Sequence, residues 1–150
     1  MKALIDTNVM LDTILHREPF CFSSDKIFDL IKEEKIEGYV SVISLKDIFY
    51  FCEKQDHEKD PFETVEKLSY LFNIIDLNGA DSLSALMSEI DDYEDGLLIC
   101  SALRNGVDTI ITRNSKDFFT ANMTVIDPKD IFRYIENPVL GGETMIGNVF

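Results

Sequence analysis

Four separated stretches of this 150-residue chain place carboxylates or amides just after segments that read as strand ends or at the start of helices. Asp6, with Thr7 and Asn8, follows the apolar Ala3-Leu4-Ile5. Asp47 lies one turn beyond Ser44. Asp91, Asp92, Glu94 and Asp95 crowd together before Gly96-Leu97, and Thr112, Arg113, Asn114 and Asp117 follow the apolar Ile110-Ile111. Carboxylates brought together without a cation repel one another and raise each other's pKa. Hard dications such as Mg²⁺ and Mn²⁺ prefer oxygen ligands and remove that cost. Such a site activates water and neutralises the charge of a phosphodiester during in-line displacement. Each residue also has a structural alternative. Asp6 and Asp92 could cap the helices that follow them, and Asp92 with Asp95 has the i, i+3 spacing of a capping pair. Asn114 and Asp117 could form an Asx turn. Asp47 faces inward only if its helix begins near Ser44, and Asp12, one turn past Asn8, reads as a supporting or surface acid.

The elements needed to gather these residues alternate along the chain. Short apolar runs at residues 3–5, 39–43, 74–75, 109–112 and 124–126 read as strands. Between them, helical spacing joins Val9, Leu11, Ile14 and Leu15, with Pro19 as the break. A second helix is expected from the cap at Ser23-Ser24-Asp25, and Gly38 closes the turn after it. A third runs from Ser44 through Cys52, and a fourth opens at Asp60-Pro61, with Asp as cap and Pro at the first position. Residues 82–90 read as a helix. Asp92 caps a longer one that runs to Arg104 and stops at Asn105-Gly106, and Pro128 opens a last short one. Short strands alternating with helices predict a single-domain α/β fold, a parallel sheet covered on both faces. Ligands in such sheets bind beyond the carboxyl ends of the strands. The domain is expected over residues 1–137, with 138–150 a flexible or partner-bound tail.

Composition constrains the partners. Apolar residues make up 45% of the chain and aromatics 11%, enough for a real core, while 14 basic against 28 acidic residues leave a net charge of −14. Phosphate binding normally rests on Lys and Arg, so this balance opposes nucleic acid unless cations intervene, and favours a basic partner. No apolar run is long enough to span a membrane, and Asp6 comes too early for a signal peptide. Cys21, Cys52 and Cys100 are odd in number and widely spaced, and read as buried thiols in the reducing cytoplasm. His16 and His57 lie in polar linkers and read as exposed.

The run Leu4-Ile5-Asp6-Thr7-Asn8-Val9 resembles the opening of PIN-domain ribonucleases. So does Asp92-Tyr93-Glu94-Asp95-Gly96-Leu97 with its downstream Asn105-Gly106-Val107-Asp108, and Ile111-Thr112-Arg113-Asn114-Ser115-Lys116-Asp117-Phe118 is similar to the family's late motif. The resemblance spans residues 2 to 135 and lies near the toxin halves of bacterial toxin–antitoxin pairs. It implies a three-layer α/β/α sandwich around a five-stranded parallel sheet, and a Mg²⁺- or Mn²⁺-dependent endoribonuclease that leaves a 5′-phosphate and a 3′-hydroxyl. It implies a homodimer too, and a small antitoxin whose basic segment would suit this acidic surface. Position by position, Asp6 matches the family's first acid and Asp95 the third. Asp47 stands where Glu is usual, Asn114 where many members have a fourth Asp, and Gly96 where Ala is usual. On this reading Asp6, Asp47 and Asp95 hold the ion and the amide of Asn114 assists. Asp117 joins them in catalysis. Asn8, Asp92 and Thr112 orient ligands, and Arg113, Lys116 and Lys46 steer the RNA backbone. The alternative is a catalytically weak PIN-like domain that binds RNA or protein. A phosphatase working through an aspartyl-phosphate on Asp6 would need a second acid at position 8, which is Asn8.

Overall fold

The computed structural model describes residues 1–55, 58–118 and 122–135, so the expected tail at 138–150 and His57 lie outside the described residues. Five strands form one sheet: β1 (Lys2–Ile5), β2 (Glu37–Ser41), β3 (Asn73–Ile75), β4 (Thr109–Ile111) and β5 (Thr124–Ile126). All pairings are parallel and the order is β3-β2-β1-β4-β5. Among the described residues seven helices surround the sheet: α1 (Thr7–Ile14), α2 (Cys21–Lys32), α3 (Val42–Gln55), α4 (Pro61–Leu71), α5 (Gly79–Met87), α6 (Tyr93–Arg104) and α7 (Ile131–Ile135). Single 3₁₀ turns at Ser115–Phe118 and Pro128–Asp130 complete the described chain. Among the described residues no helix is long and apolar enough to cross a membrane.

Successive strand residues point to opposite faces, and β1 feeds both layers of a three-layer α/β/α sandwich. Ala3 and Ile5 join one core with Val9, Met10, Ile27, Leu30, Ile48 and Ile131, while Leu4 joins another with Leu98, Ile99, Ala102 and Ile110. β1 is the pivot of the topology. The chain builds outward from it to β2 and β3 on one side, then returns to lay β4 and β5 on the other, so the switch point lies between β1 and β4. In open parallel sheets this is where the crevice for a ligand opens.

Several boundaries differ from the sequence reading. β2 spans 37–41, not 39–43, because Gly38 belongs to the strand and does not close the turn before it. A Cβ there would come within 2.8 Å of Ile31 and 2.9 Å of Phe72, so glycine is what lets α2 and Phe72 approach the sheet. The chain then passes directly into α3 at Val42, two residues before Ser44. α2 begins at Cys21, not at a cap over residues 23–25: Ser24 is fully buried and Ser23 Oγ donates to the Phe20 carbonyl. α5 starts at Gly79, before residue 82, because Asn78 and Asp81 form a reciprocal capping box. The expected caps at Asp60 and Asp92 are present, and Gly106 has the positive φ of 72° that ends α6. Cys21 and Cys52 are buried as expected, whereas Cys100 is only partly so, and His16 is exposed.

Candidate active site

Asp6 sits at the carboxyl end of β1, where its backbone amide donates to the Ile111 carbonyl at 3.0 Å, and so stitches the ends of β1 and β4 together. It occupies the position before α1, yet its side chain makes no capping bond to that helix. Instead Oδ2 accepts a hydrogen bond of 2.8 Å from Thr112 Oγ1, across 106 residues of sequence. Thr112 is fully buried, and its Oγ1 also accepts from the Asn114 amide at 3.0 Å, which begins the turn carrying Asn114, Lys116 and Asp117. Burial is the main cause that raises the Asp6 pKa and Asp117 adds to it, against the lowering effects of Thr112, the Thr7 amide and Arg113.

The third segment arrives on α6. Asp92 caps that helix, its Oδ1 accepting from the Asp95 amide at 3.0 Å, so the structural role weighed for Asp92 is real. It also loads charge onto Asp95, whose carboxyl is pushed up to about 7 by burial, then by Asp92, Asp6, Asp117 and Glu94. Asp6, Asp95 and Asp117, from three distant stretches, therefore share one electrostatic field at the switch point.

Asp47 is held differently. Its Oδ1 lies 2.7 Å from Lys46 Nζ, and its carboxyl meets that of Glu94, whose pKa rises through burial and through Asp47. Thr7 Oγ1 donates to Ser44 Oγ at 2.8 Å, so α3 does start beside the site. An aspartate at 47 is one methylene shorter than a glutamate, and the neighbouring Lys46 engages it. Hence the expected meeting of Asp6, Asp47 and Asp95 is not preformed: among the described residues no three Asp, Glu, His or Cys side chains make a ready ion site. The donor chemistry still suits a hard dication, since the groups are all oxygen and burial, with their mutual repulsion added, raises the Asp95 pKa to about 7.

Other expected residues are placed as follows. Asn8 is half-buried in the first turn of α1, and Asn114, Lys116 and Asp117 are exposed. Lys116 lines a depression with Ser115, Met123 and Val125. Lys46, expected to steer RNA, is paired with Asp47. Arg113, also expected to meet the backbone of RNA, is turned inward: its guanidinium is paired with Asp12 and stacked on Phe20. Asp12, read as a supporting or surface acid, is fully buried. Two residues named in the sequence reading were given no role there. Glu94 is the acid that reaches Asp47, and Ser44 is the anchor for Thr7. An acid directly after the apolar run Val9–Met10–Leu11 was itself a signal, since a carboxylate buried with that run demands a cationic partner.

Comparison with known proteins agrees with this fold. The PIN domain family profile matches residues 2–116. Solved structures of similar fold include FitAcB from Neisseria gonorrhoeae, at 20% identity, 85% of this chain, 98% of that chain and a TM-score of 0.65. VapBC from Salmonella typhimurium, bound to DNA, gives 19% identity, 85% and 98% coverage and a TM-score of 0.64. VapBC2 from Rickettsia felis, bound to a DNA fragment from the promoter, gives 18%, 83%, 97% and 0.62. No curated protein matches the chain. With five parallel strands in the order found here and the profile covering most of its length, the chain belongs to the PIN domain family.

Proposed function

We infer that this chain is a metal-dependent endoribonuclease, and a toxin of a toxin–antitoxin pair. The observation that carries this reading is the convergence of Asp6, Asp95 and Asp117 at the switch point, with the Asp95 carboxyl pushed up to about 7 by burial and by the charges of its acidic neighbours. Asp6, Asp95 and Asp117 would hold a Mg²⁺ or Mn²⁺ ion, with Asp47 and the Asn114 amide completing the set. The bound ion would supply positive charge to the phosphodiester and acidify a water. Thr112 fixes the orientation of Asp6 by donating to Oδ2, and Asp92 fixes the start of α6 and hence the place of Asp95. Asn8, at the opening of α1, and Lys116, exposed in the turn after β4, would orient a phosphate. Hydrolysis adds a water oxygen to phosphorus and breaks the bond to the 3′ oxygen, which leaves as a hydroxyl opposite a 5′-phosphate.

The similar structures named VapBC and FitAcB are complexes, and this supports a partner protein for this chain as well. A small antitoxin with a basic segment fits a molecule of net charge −14. Exposed Leu83, Leu86 and Met87 on α5 offer apolar surface to a second copy, consistent with a homodimer. On this reading the chain would act in the cytoplasm, where its RNA substrate is found. The second reading, a domain that binds without cutting, is favoured by the engagement of Asp47 with Lys46 and Glu94.

Incubating the purified chain with Mn²⁺ and a generic single-stranded RNA tests the choice. Cleavage with 5′-phosphate ends, lost in a folded Asp6→Asn variant, is the expected result. Undiminished cleavage by Asp6→Asn overturns the assignment, and Mn²⁺ binding without cleavage by the wild type favours the binding domain.

A further inference from the structure

Arg113 is a cation standing next to an acidic pocket and turned away from it. Its neighbour Thr112 is bonded to Asp6, and its charge is close enough to draw the Asp6 pKa down. Yet its guanidinium is committed elsewhere. Nε lies 2.5 Å from Asp12 Oδ2, Nη2 donates to Asp12 Oδ1 at 3.2 Å, and Cζ lies 4.0 Å from the centre of the Phe20 ring. Asp12 is 0% exposed, and Arg17, whose amide donates to the Asp12 carbonyl at 2.9 Å, adds a second positive field to its carboxylate. A buried charge is tolerated only when paired, so α1 carries Asp12 at a cost that Arg113 offsets.

An arginine released at this position would have an alternative. Its planar fork pairs strongly with carboxylates, and Asp6 is bonded to its neighbour Thr112 while Asp117 follows four residues on in the same turn. Seated there, it would take up the oxygens that a dication requires. We propose that Asp12 and Phe20 are positioning residues that sequester Arg113, so that its charge tempers the acidic pocket without occupying it. The proposal rests on the cation site inferred above. It assigns Arg113 an internal role in place of contact with substrate, and it gives purpose to a buried acid that the cleavage chemistry does not use.

The decisive comparison is Mn²⁺ affinity, by titration calorimetry on the full chain, for the wild type, Asp12→Asn and Asp12→Asn/Arg113→Gln. Asp12→Asn keeps the side-chain shape and frees the guanidinium, and should weaken Mn²⁺ binding about tenfold, as loss of supporting contacts around ligands does. The double variant removes the competitor and should regain most of that loss, which damage to the fold alone would not allow. Circular dichroism verifies folding, and if Asp12→Asn does not fold, Phe20→Leu substitutes, with an expected loss of about threefold that Arg113→Gln again reverses. Wild-type affinity in the single variant, or a double variant no better than the single, overturns the proposal. These affinities are read independently of RNA cleavage, so a wild type that binds Mn²⁺ and cuts nothing sinks the nuclease reading alone. A wild type that does not bind Mn²⁺ sinks both.

Discussion

The Asp95 carboxyl, half-buried and surrounded by Asp92, Asp6, Asp117 and Glu94, titrates near 7 against an ordinary 3.8, and this couples function to stability. Because the folded state holds the proton more tightly than the unfolded chain, the associated stability is complete below about pH 4. It is lost as pH rises through about 7. Without a bound cation the ionised carboxylate therefore strains the fold at pH 8. An Asp95→Asn variant should be the more stable protein there, by roughly 1–2 kcal/mol after solvent screening, and the advantage should vanish below about pH 4. Thermal melts in chelator at the two pH values measure this, and an unchanged difference would mean that Asp95 is not strained. Asp47→Glu makes the complementary prediction: the longer arm should reach past Lys46 towards Asp95 and tighten Mn²⁺ binding several-fold, read by the same calorimetry. Asp6 and Asp95 were legible in the sequence because a polar residue ending a short apolar run, or opening a capped helix, has a definite place in an α/β fold. The pairing of Asp12 with Arg113 was not, since it joins residues 101 positions apart and no local pattern encodes it.

At the scale of elements, α6 carries Asp95, and α5 packs directly against it through Gly96. A Cβ at that position would stand 3.1 Å from Ala85 Cβ and 3.4 Å from both Ala85 Cα and Ser88 Oγ. Helix propensity alone would make Gly96→Ala stabilising by about 1 kcal/mol. Overpacking against the α5 backbone costs about 1–3 kcal/mol, so the packing loss should win. The expected outcome is a melting temperature lower by a few degrees, and weaker Mn²⁺ binding, because the residue beside Asp95 moves with the helix. A gain in stability would show that α5 yields freely. The departure from Ala at this position was visible in the sequence, but its reason was not, since it depends on the distance between two helices. The same limit explains α5 itself. Its capping box at Asn78 and Asp81 is a local signal, but Asp81 is also held by Arg104 Nε at 2.8 Å and Nη2 at 2.9 Å, and Arg104 reaches Asp76 as well. That clamp closes the β3–α5 connection onto the end of α6 and buries an acid at the cap, a tertiary outcome added to a local preference. Helix ends set by capping were read to the residue at Asp60 and Asp92, whereas α2 begins at the buried Cys21 with no side-chain cap, and α3 begins before Ser44 because Ser41, the last residue of β2, accepts from the Ile43 amide at 3.3 Å.

Over the whole molecule, the charge of −14 and the position of the acids at the sheet's switch point act against each other. A typical nucleic-acid protein releases counterions from phosphates that its own Lys and Arg neutralise, so its affinity falls steeply as salt rises. Here Arg113 and Lys46 are engaged with Asp12 and Asp47, and Arg104 with Asp76 and Asp81, so of the basic side chains expected near the site it is Lys116 that is left to meet a phosphate backbone. Attraction would have to come from the dication itself, while the remaining surface repels the polyanion over a distance set by the Debye length. Added monovalent salt screens that repulsion more than it weakens contacts at the ion. With Mn²⁺ held saturating, KM for a single-stranded RNA should therefore stay level or fall as KCl is raised from about 50 to about 200 mM, the reverse of the usual slope. A KM that climbs steeply over that range would locate a basic RNA-binding surface that these side chains do not form, and would move substrate recognition away from the acidic crevice. A basic protein partner should show the opposite dependence, associating fast at low salt and slowly at high salt, because for it the acidic surface is the attraction.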